Sequence, residues 1–176
     1  TTVSSLAMAV SLASASAVVQ AEDTVADAIK NGTANLSFRL RYEDVNDDAA
    51  AKEDADAFTL RSRLTLKSAE FKNLSALLEL DDVTALGDKD YNDLVNGKSQ
   101  YATIADPEGT EVNQAYLAYT GLDNTTVKWG RQRILLDNQR FVGGVGFRQN
   151  EQTYDAFTVV NKSLPDTTVV AGHVFN

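Results

Sequence analysis

The sequence predicts an all-β fold, part of a transmembrane antiparallel β-barrel, and three observations carry that prediction. Apolar and polar residues alternate with a period of two in one segment after another, the pattern of strands with one apolar and one polar face. The connections between those segments alternate short and long, as they do where one end of a barrel carries tight turns and the other carries loops. No stretch is long and apolar enough to cross a membrane as a helix, which needs about 18 residues or more.

The first 21 residues read as a secretory signal. "LAMAVSLASASAVVQA" is a run of apolar and small residues that ends Val19-Gln20-Ala21 before Glu22-Asp23, the form of an h-region and its cleavage site. The basic n-region is missing and the chain does not begin with Met, so it reads as a piece whose start is cut away. Residues 22–33 follow as a short periplasmic helix and linker, with Val25, Ala28 and Ile29 at helical spacing before Asn31-Gly32. Residues 34–176 form the barrel portion.

Within it the strands follow one another. "NLSFRLRYE" sets Leu36, Phe38, Leu40 and Tyr42 on one face against Ser37, Arg39, Arg41 and Glu43 on the other. "FTLRSRLTLK" repeats the scheme, with Phe58, Leu60, Leu64 and Leu66 opposite Thr59, Arg61, Arg63, Thr65 and Lys67. Further strands are expected at Leu74 to Val83, Val112 to Thr120, Thr125 to Arg131, Tyr154 to Asn161 and Thr167 to Phe175, from alternation, β-branched content and bounding turn residues. These make seven, and a single-chain bacterial barrel closes with an even number, so the far end also reads as cut. Leu36, Phe38, Leu40, Phe58, Leu60 and Leu64 are expected to face lipid, and Arg at Ser37 or Thr59 to be tolerated.

Composition excludes several classes of function. The chain has no Cys, hence no disulfide framework or thiol chemistry, and its formal net charge of −9 argues against nucleic acid as a partner. His173 is the single histidine and has no neighbour with which to form a triad or metal site. The carboxylates of "DVNDDAAAKEDAD" lack the spacing of a calcium loop. No paired-carboxylate site stands out for glycoside chemistry, so no catalytic residue, metal or cofactor is assigned.

The charges are sorted along the chain. All eight arginines fall at Arg39 and Arg41, at Arg61 and Arg63, and at Arg131, Arg133, Arg140 and Arg148, whereas 15 of the 25 carboxylates lie between Glu43 and Asp56 or between Asp81 and Glu111. Two neighbouring strands thus present arginine pairs on one face, which would repel in a dry core and calls for a water-filled lumen. Those strands hold too few carboxylates to pair four guanidiniums, and Glu79 and Asp81 compensate them only in part. The long connection "RQRILLDNQRFVGGVGFRQNEQ" mixes Gly143, Gly144 and Gly146 with Phe141 and Phe147, a composition for a loop that folds back and packs its aromatics. Asp137 is placed to hold Arg133 or Arg140.

"FRLRYEDV", "FTLRSRLTLK", "DPEGTEVNQAYLAYTG" and above all "VKWGRQRILLDNQRFVGGVGFRQNEQTYDAF" resemble the alginate-export family of Gram-negative outer-membrane barrels, its porin-like members included. The resemblance spans most of residues 34 to 160. It implies a monomeric barrel of about 18 strands, set in outer-membrane lipid and lipopolysaccharide. It also implies an electropositive lumen, in which Arg39, Arg41, Arg61, Arg63, Arg133, Arg140 and Arg148 would line the path of anionic small molecules or oligosaccharides. The expected function is therefore a passive channel for anionic solutes, uronates or other carbohydrates among them. The alternative is a secreted sugar-binding β-sandwich that uses the aromatic loop as its platform.

Overall fold

A computed structural model describes residues 2–11, 23–47 and 51–176 of the chain. Eight strands form one antiparallel sheet in strict chain order: β1 (Thr2–Ser11), β2 (Thr33–Asn46), β3 (Ala55–Lys67), β4 (Leu74–Ala85), β5 (Gly109–Leu122), β6 (Thr125–Gln132), β7 (Tyr154–Leu164) and β8 (Thr167–Val174). The seven strands expected after residue 33 are all present, extended by one to three residues at several ends. Among the described residues the single meander has no second sheet packed against it, which removes the β-sandwich alternative.

β1 falls on the expected signal sequence. Its backbone pairs antiparallel with β2, Thr2 opposite Asn46 and Ser11 opposite Ser37. The expected cleavage site at Val19-Gln20-Ala21 lies outside the described residues.

The short helix α1 (Val25–Lys30) starts at Thr24, whose hydroxyl accepts from the Asp27 amide at 3.1 Å, an N-cap that satisfies one orphan donor. It ends at Asn31, and Gly32 then passes so close to β3 that a Cβ would stand 2.5 Å from the Lys67 carbonyl oxygen. The Ala69 amide donates to the Ala28 carbonyl at 2.8 Å and ties the helix to the β3–β4 turn.

The connections sort by end. β3–β4, β5–β6 and β7–β8 close in tight turns, with both Lys72 and Asn73 at positive φ in the first, as a type I′ hairpin requires, and Asn124 and Asp166 at positive φ in the other two. β2–β3, β4–β5 and β6–β7 are joined by residues 47–54, 86–108 and 133–153 at the opposite end.

The faces are inverted relative to a soluble protein. Large apolar side chains lie exposed on one face, among them Phe38, Phe58, Leu78, Leu117 and Phe157, with Trp129 at 59%. Arg41, Thr59, Arg61, Glu79, Asp81 and Thr158 are buried on the other, Asp81 completely. The register confirms that these are two faces of one sheet: Leu36 opposes Leu64, Leu40 opposes Leu60 and Tyr42 opposes Phe58, while Arg39 opposes Arg61 and Arg63 opposes Asp81. A polar buried face and an apolar exposed one suit a wall with lipid outside and water within. Among the described residues an apolar cluster forms at the loop end, where Tyr91, Ala102 and Ile104 of the 86–108 loop pack on Val45, Ala55 and Ala57.

Candidate functional site

The site grows from the register. Strand alternation turns Arg39 and Arg41 of β2 and Arg61 and Arg63 of β3 to the inner face, with Arg39 directly opposite Arg61. Like charges in such a pair destabilise a sheet unless something else meets them. The 133–153 loop meets them. It crosses the inner face and presents four successive backbone carbonyls to the arginines. Arg39 donates to the carbonyls of Gly146 at 3.0 Å, Phe147 at 2.7 Å and Arg148 at 2.9 Å. Arg41 also donates to Phe147, and Arg61 to Gln149 at 3.0 Å. The Gln149 side chain, fully buried, reaches through to the Thr59 hydroxyl at 2.9 Å and the Arg39 carbonyl at 3.2 Å.

Carboxylates complete the latch. Asp81 takes Arg63 through two bonds of 2.6 Å, a fork-to-fork geometry. Glu43 pairs with Arg41 and, at 3.0 Å, with Arg148. Asp106, buried on the 86–108 loop, accepts from Arg41 at 3.2 Å and from the Gln149 amide at 2.8 Å, so it joins the two long loops. Glu151 meets Arg61 at 3.3 Å, Arg63 at 3.0 Å and Arg133. Glu79 accepts from Arg133 and from the Thr65 hydroxyl at 2.7 Å. A β-bulge at Asn113 of β5, opposite Glu79, sets Asn113 and Gln114 side by side, and both amides donate to the same Glu79 oxygen at 2.9 and 3.1 Å. Burial alone would raise the pKa of Glu151, but the Arg133 hydrogen bond and the Arg63 charge pull it down to about 2.

Residues 32–166 match the family described as Alginate export, which covers β2 to β7 and every latch residue. The chain belongs to the alginate-export family. That family is one of transport, its members outer-membrane channels, and no curated protein or solved structure matches the chain.

In this family member the structure brings together Arg39, Arg41, Arg61, Arg63, Arg133 and Arg148, and it sets Arg140 apart. Arg140 is exposed on the loop, its guanidinium 5.6 Å from the centre of the Phe141 ring. Three expectations need correction. Compensation goes further than Glu79 and Asp81: Glu43 and the loop carboxylates Asp106 and Glu151 join them, setting five negative charges among six guanidiniums and leaving Arg39 to backbone carbonyls. Asp137 holds neither Arg133 nor Arg140, because it sits exposed in a turn at φ 49° while Arg133 turns to Glu79 and Glu151. The loop aromatics do not pack into a core, since Phe141 is 91% exposed and Phe147 lies under the guanidinium of Arg148, 4.9 Å from the ring centre.

The glycines play unequal parts. Gly144 is buried under Leu135 and its carbonyl accepts from the Gln152 amide at 2.9 Å, while Gly143 sits against Gln139 and accepts at 3.4 Å from the Tyr154 hydroxyl. Gly146 faces open space, and its carbonyl goes to Arg39. The loop's left-handed positions are Asp137, Gln139 and Val145.

Sequence reasoning missed Asp106, Gln149 and Glu151. Glu151 could have been found as the one carboxylate of the loop's arginine- and amide-rich end "RQNEQ", although its partners are Arg61, Arg63 and Arg133 rather than Arg148. Asp106 carries no local signal, since its partners Arg41 and Gln149 lie 65 and 43 residues away.

Proposed function

We propose that this sheet is part of the wall of an outer-membrane channel through which hydrophilic anionic solutes, small or oligomeric, pass by diffusion. Uronates and other carbohydrates fall within that class. The observation that carries the reading is the inverted sheet with the 133–153 loop folded across its polar face. An inward loop narrows a lumen, and a charged lining keeps it wet.

The arginines act chiefly as the latch of that loop. Five of the six clustered guanidiniums meet carboxylates, and Arg39 meets backbone carbonyls alone. The excess of one positive charge, with Arg140 exposed on the loop, gives a mild preference for anions. The protein works as a monomer in outer-membrane lipid and lipopolysaccharide, the exposed apolar face against the acyl chains. Residues 1–21 act as an export leader, and their removal vacates the edge of β2, where another strand of the wall then pairs.

The test is the reversal potential of the full-length protein in a planar bilayer under a potassium chloride gradient. The parent passes current with a modest preference for chloride, and Arg39→Glu with Arg140→Glu shifts it toward potassium. A protein that forms no conducting pore, or a parent selective for cations, overturns the reading.

A further inference from the structure

The inner face continues past the latch toward the short-turn end, and its charges change there. Beyond Arg63 and Thr65 the next inward residue of β3 is Lys67, opposite Leu77 of β4. On β6 the inward residue Lys128 lies between Ala118 of β5 and Thr158 of β7. Both lysines line one pocket of about 310 Å³, together with Ser75, Tyr116, Thr120 and Thr126. Neither forms an ion pair among the described residues, in contrast to five of the six arginines of the latch. Glu70, at the rim on the β3–β4 turn, accepts from the Thr120 hydroxyl at 3.3 Å and reaches neither ammonium.

Tyr116 forms the floor. Lys128 Nζ stands 4.6 Å from the centre of its ring. Across the strand pair Tyr116 faces Gly130, which sits at φ +124° and where a Cβ would lie 2.3 Å from the Ala115 carbonyl oxygen and 3.2 Å from the Tyr116 Cβ. A glycine there removes the side chain that would compete with the ring for the wall.

We propose that Lys67 and Lys128, with Tyr116 between them, form a binding station for a carboxylate-bearing sugar residue on the short-turn side of the loop. The inference rests on the channel reading above. Two ammoniums without carboxylate partners supply the charge, the tyrosine ring a face for sugar C–H groups, and Ser75, Thr120 and Thr126 hydroxyls for hydrogen bonding. Ammonium groups hold a carboxylate as point charges, without the bidentate fork of arginine. Such a station binds weakly enough to release what it captures, as conduction requires.

The test uses the full-length protein in planar bilayers, with short glucuronate oligomers or neutral glucose oligomers of the same length added on the short-turn side. In the parent, glucuronate blocks the current at lower concentration than glucose. Lys67→Gln with Lys128→Gln raises the half-blocking glucuronate concentration about tenfold, the loss expected for two exposed charge contacts. The same variant leaves glucose block unchanged, and Lys67→Arg with Lys128→Arg keeps glucuronate block within about twofold of the parent, because the charge is retained. If no pore forms, the channel reading itself fails. If a pore forms and the glutamine variant is blocked like the parent, if it loses block by both oligomers alike, or if the arginine variant behaves like the glutamine one, the station is overturned while the channel stands.

Discussion

Glu151 is the carboxylate from which the inner loop hangs, and Glu151→Gln keeps its shape while removing its charge. The side chain is 10% exposed and touches Arg61, Arg63, Arg133 and, at 3.4 Å, the Asn113 amide. After the change Arg63 keeps both oxygens of Asp81 and Arg133 keeps Glu79. Arg61 keeps only the Gln149 carbonyl, and its Nε has no partner even in the parent. Breaking a buried ion pair costs roughly 3 to 5 kcal/mol, and the surviving partners of two arginines set this case at about 3. At 1.4 kcal/mol per factor of ten, the released loop becomes about 100-fold more populated.

Trypsin reads that population. Cleavage after Arg148 requires the latch to open, because Arg148 is tied to Glu43, whereas Arg140 is exposed throughout and serves as the internal reference. Glu151→Gln raises the rate of cutting after Arg148 by tens of fold or more relative to that after Arg140. An unchanged ratio refutes the latch. The parent shows the same release with acid. The latched pKa of Glu151, about 2, lies below its ordinary value of 4.5. Its contribution is therefore complete above pH 4.5 and is lost as pH falls from there toward 2. Bilayer current noise rises over that interval in the parent, and the part of the rise due to this residue is absent in Glu151→Gln.

Two further outcomes follow from the register. Leu64→Arg, on the outer face between Leu36 and Leu80, costs about 2 to 4 kcal/mol in urea unfolding from lipid vesicles if the outer face meets lipid near the bilayer midplane; parent-like stability contradicts the assigned faces. Gly130→Ala forces a side chain into positive φ against the Ala115 carbonyl and costs about 1 to 3 kcal/mol, read as a lower temperature for loss of the folded band in heat-dependent gel mobility.

The strands were legible because each face meets a different solvent, and a period of two registers that difference within a few residues. Leu36 to Tyr42 and Phe58 to Leu66 are clear in the sequence for this reason. The latch was not legible because its bonds are distant in the chain: Arg148 reaches Glu43 across 105 residues and Arg61 reaches Gln149 across 88. Periodicity carries no record of such pairs. The expectation that Arg is tolerated at Thr59 fails on the same ground. Alternation places Thr59 on the polar face correctly, but Gln149 covers it, and it is 1% exposed. The bulge at Asn113 was hidden too, because an inserted residue looks in sequence like a weak strand.

The sorting of arginine from lysine on one wall has a physical reason. A guanidinium offers five donors in a plane, so Arg39 alone binds three carbonyls of the loop, and Arg63 holds Asp81 with two donors and Glu151 with a third. An ammonium cannot bridge so many acceptors in one plane, and in the latch it would leave carbonyls buried without donors. Where the wall must fix a loop, arginine suits the task, and the carboxylates that accompany it cancel most of its charge. Among the described residues no long loop crosses the wall at Lys67 and Lys128, and their charge remains for whatever passes. Clustered arginine on a barrel strand is therefore a poor guide to the field that a solute feels when long loops fold back over that strand. In this chain the residues that best announce themselves in the sequence shape the constriction, and the electrostatics beyond it fall to two residues that alternation places on the same face without distinguishing them.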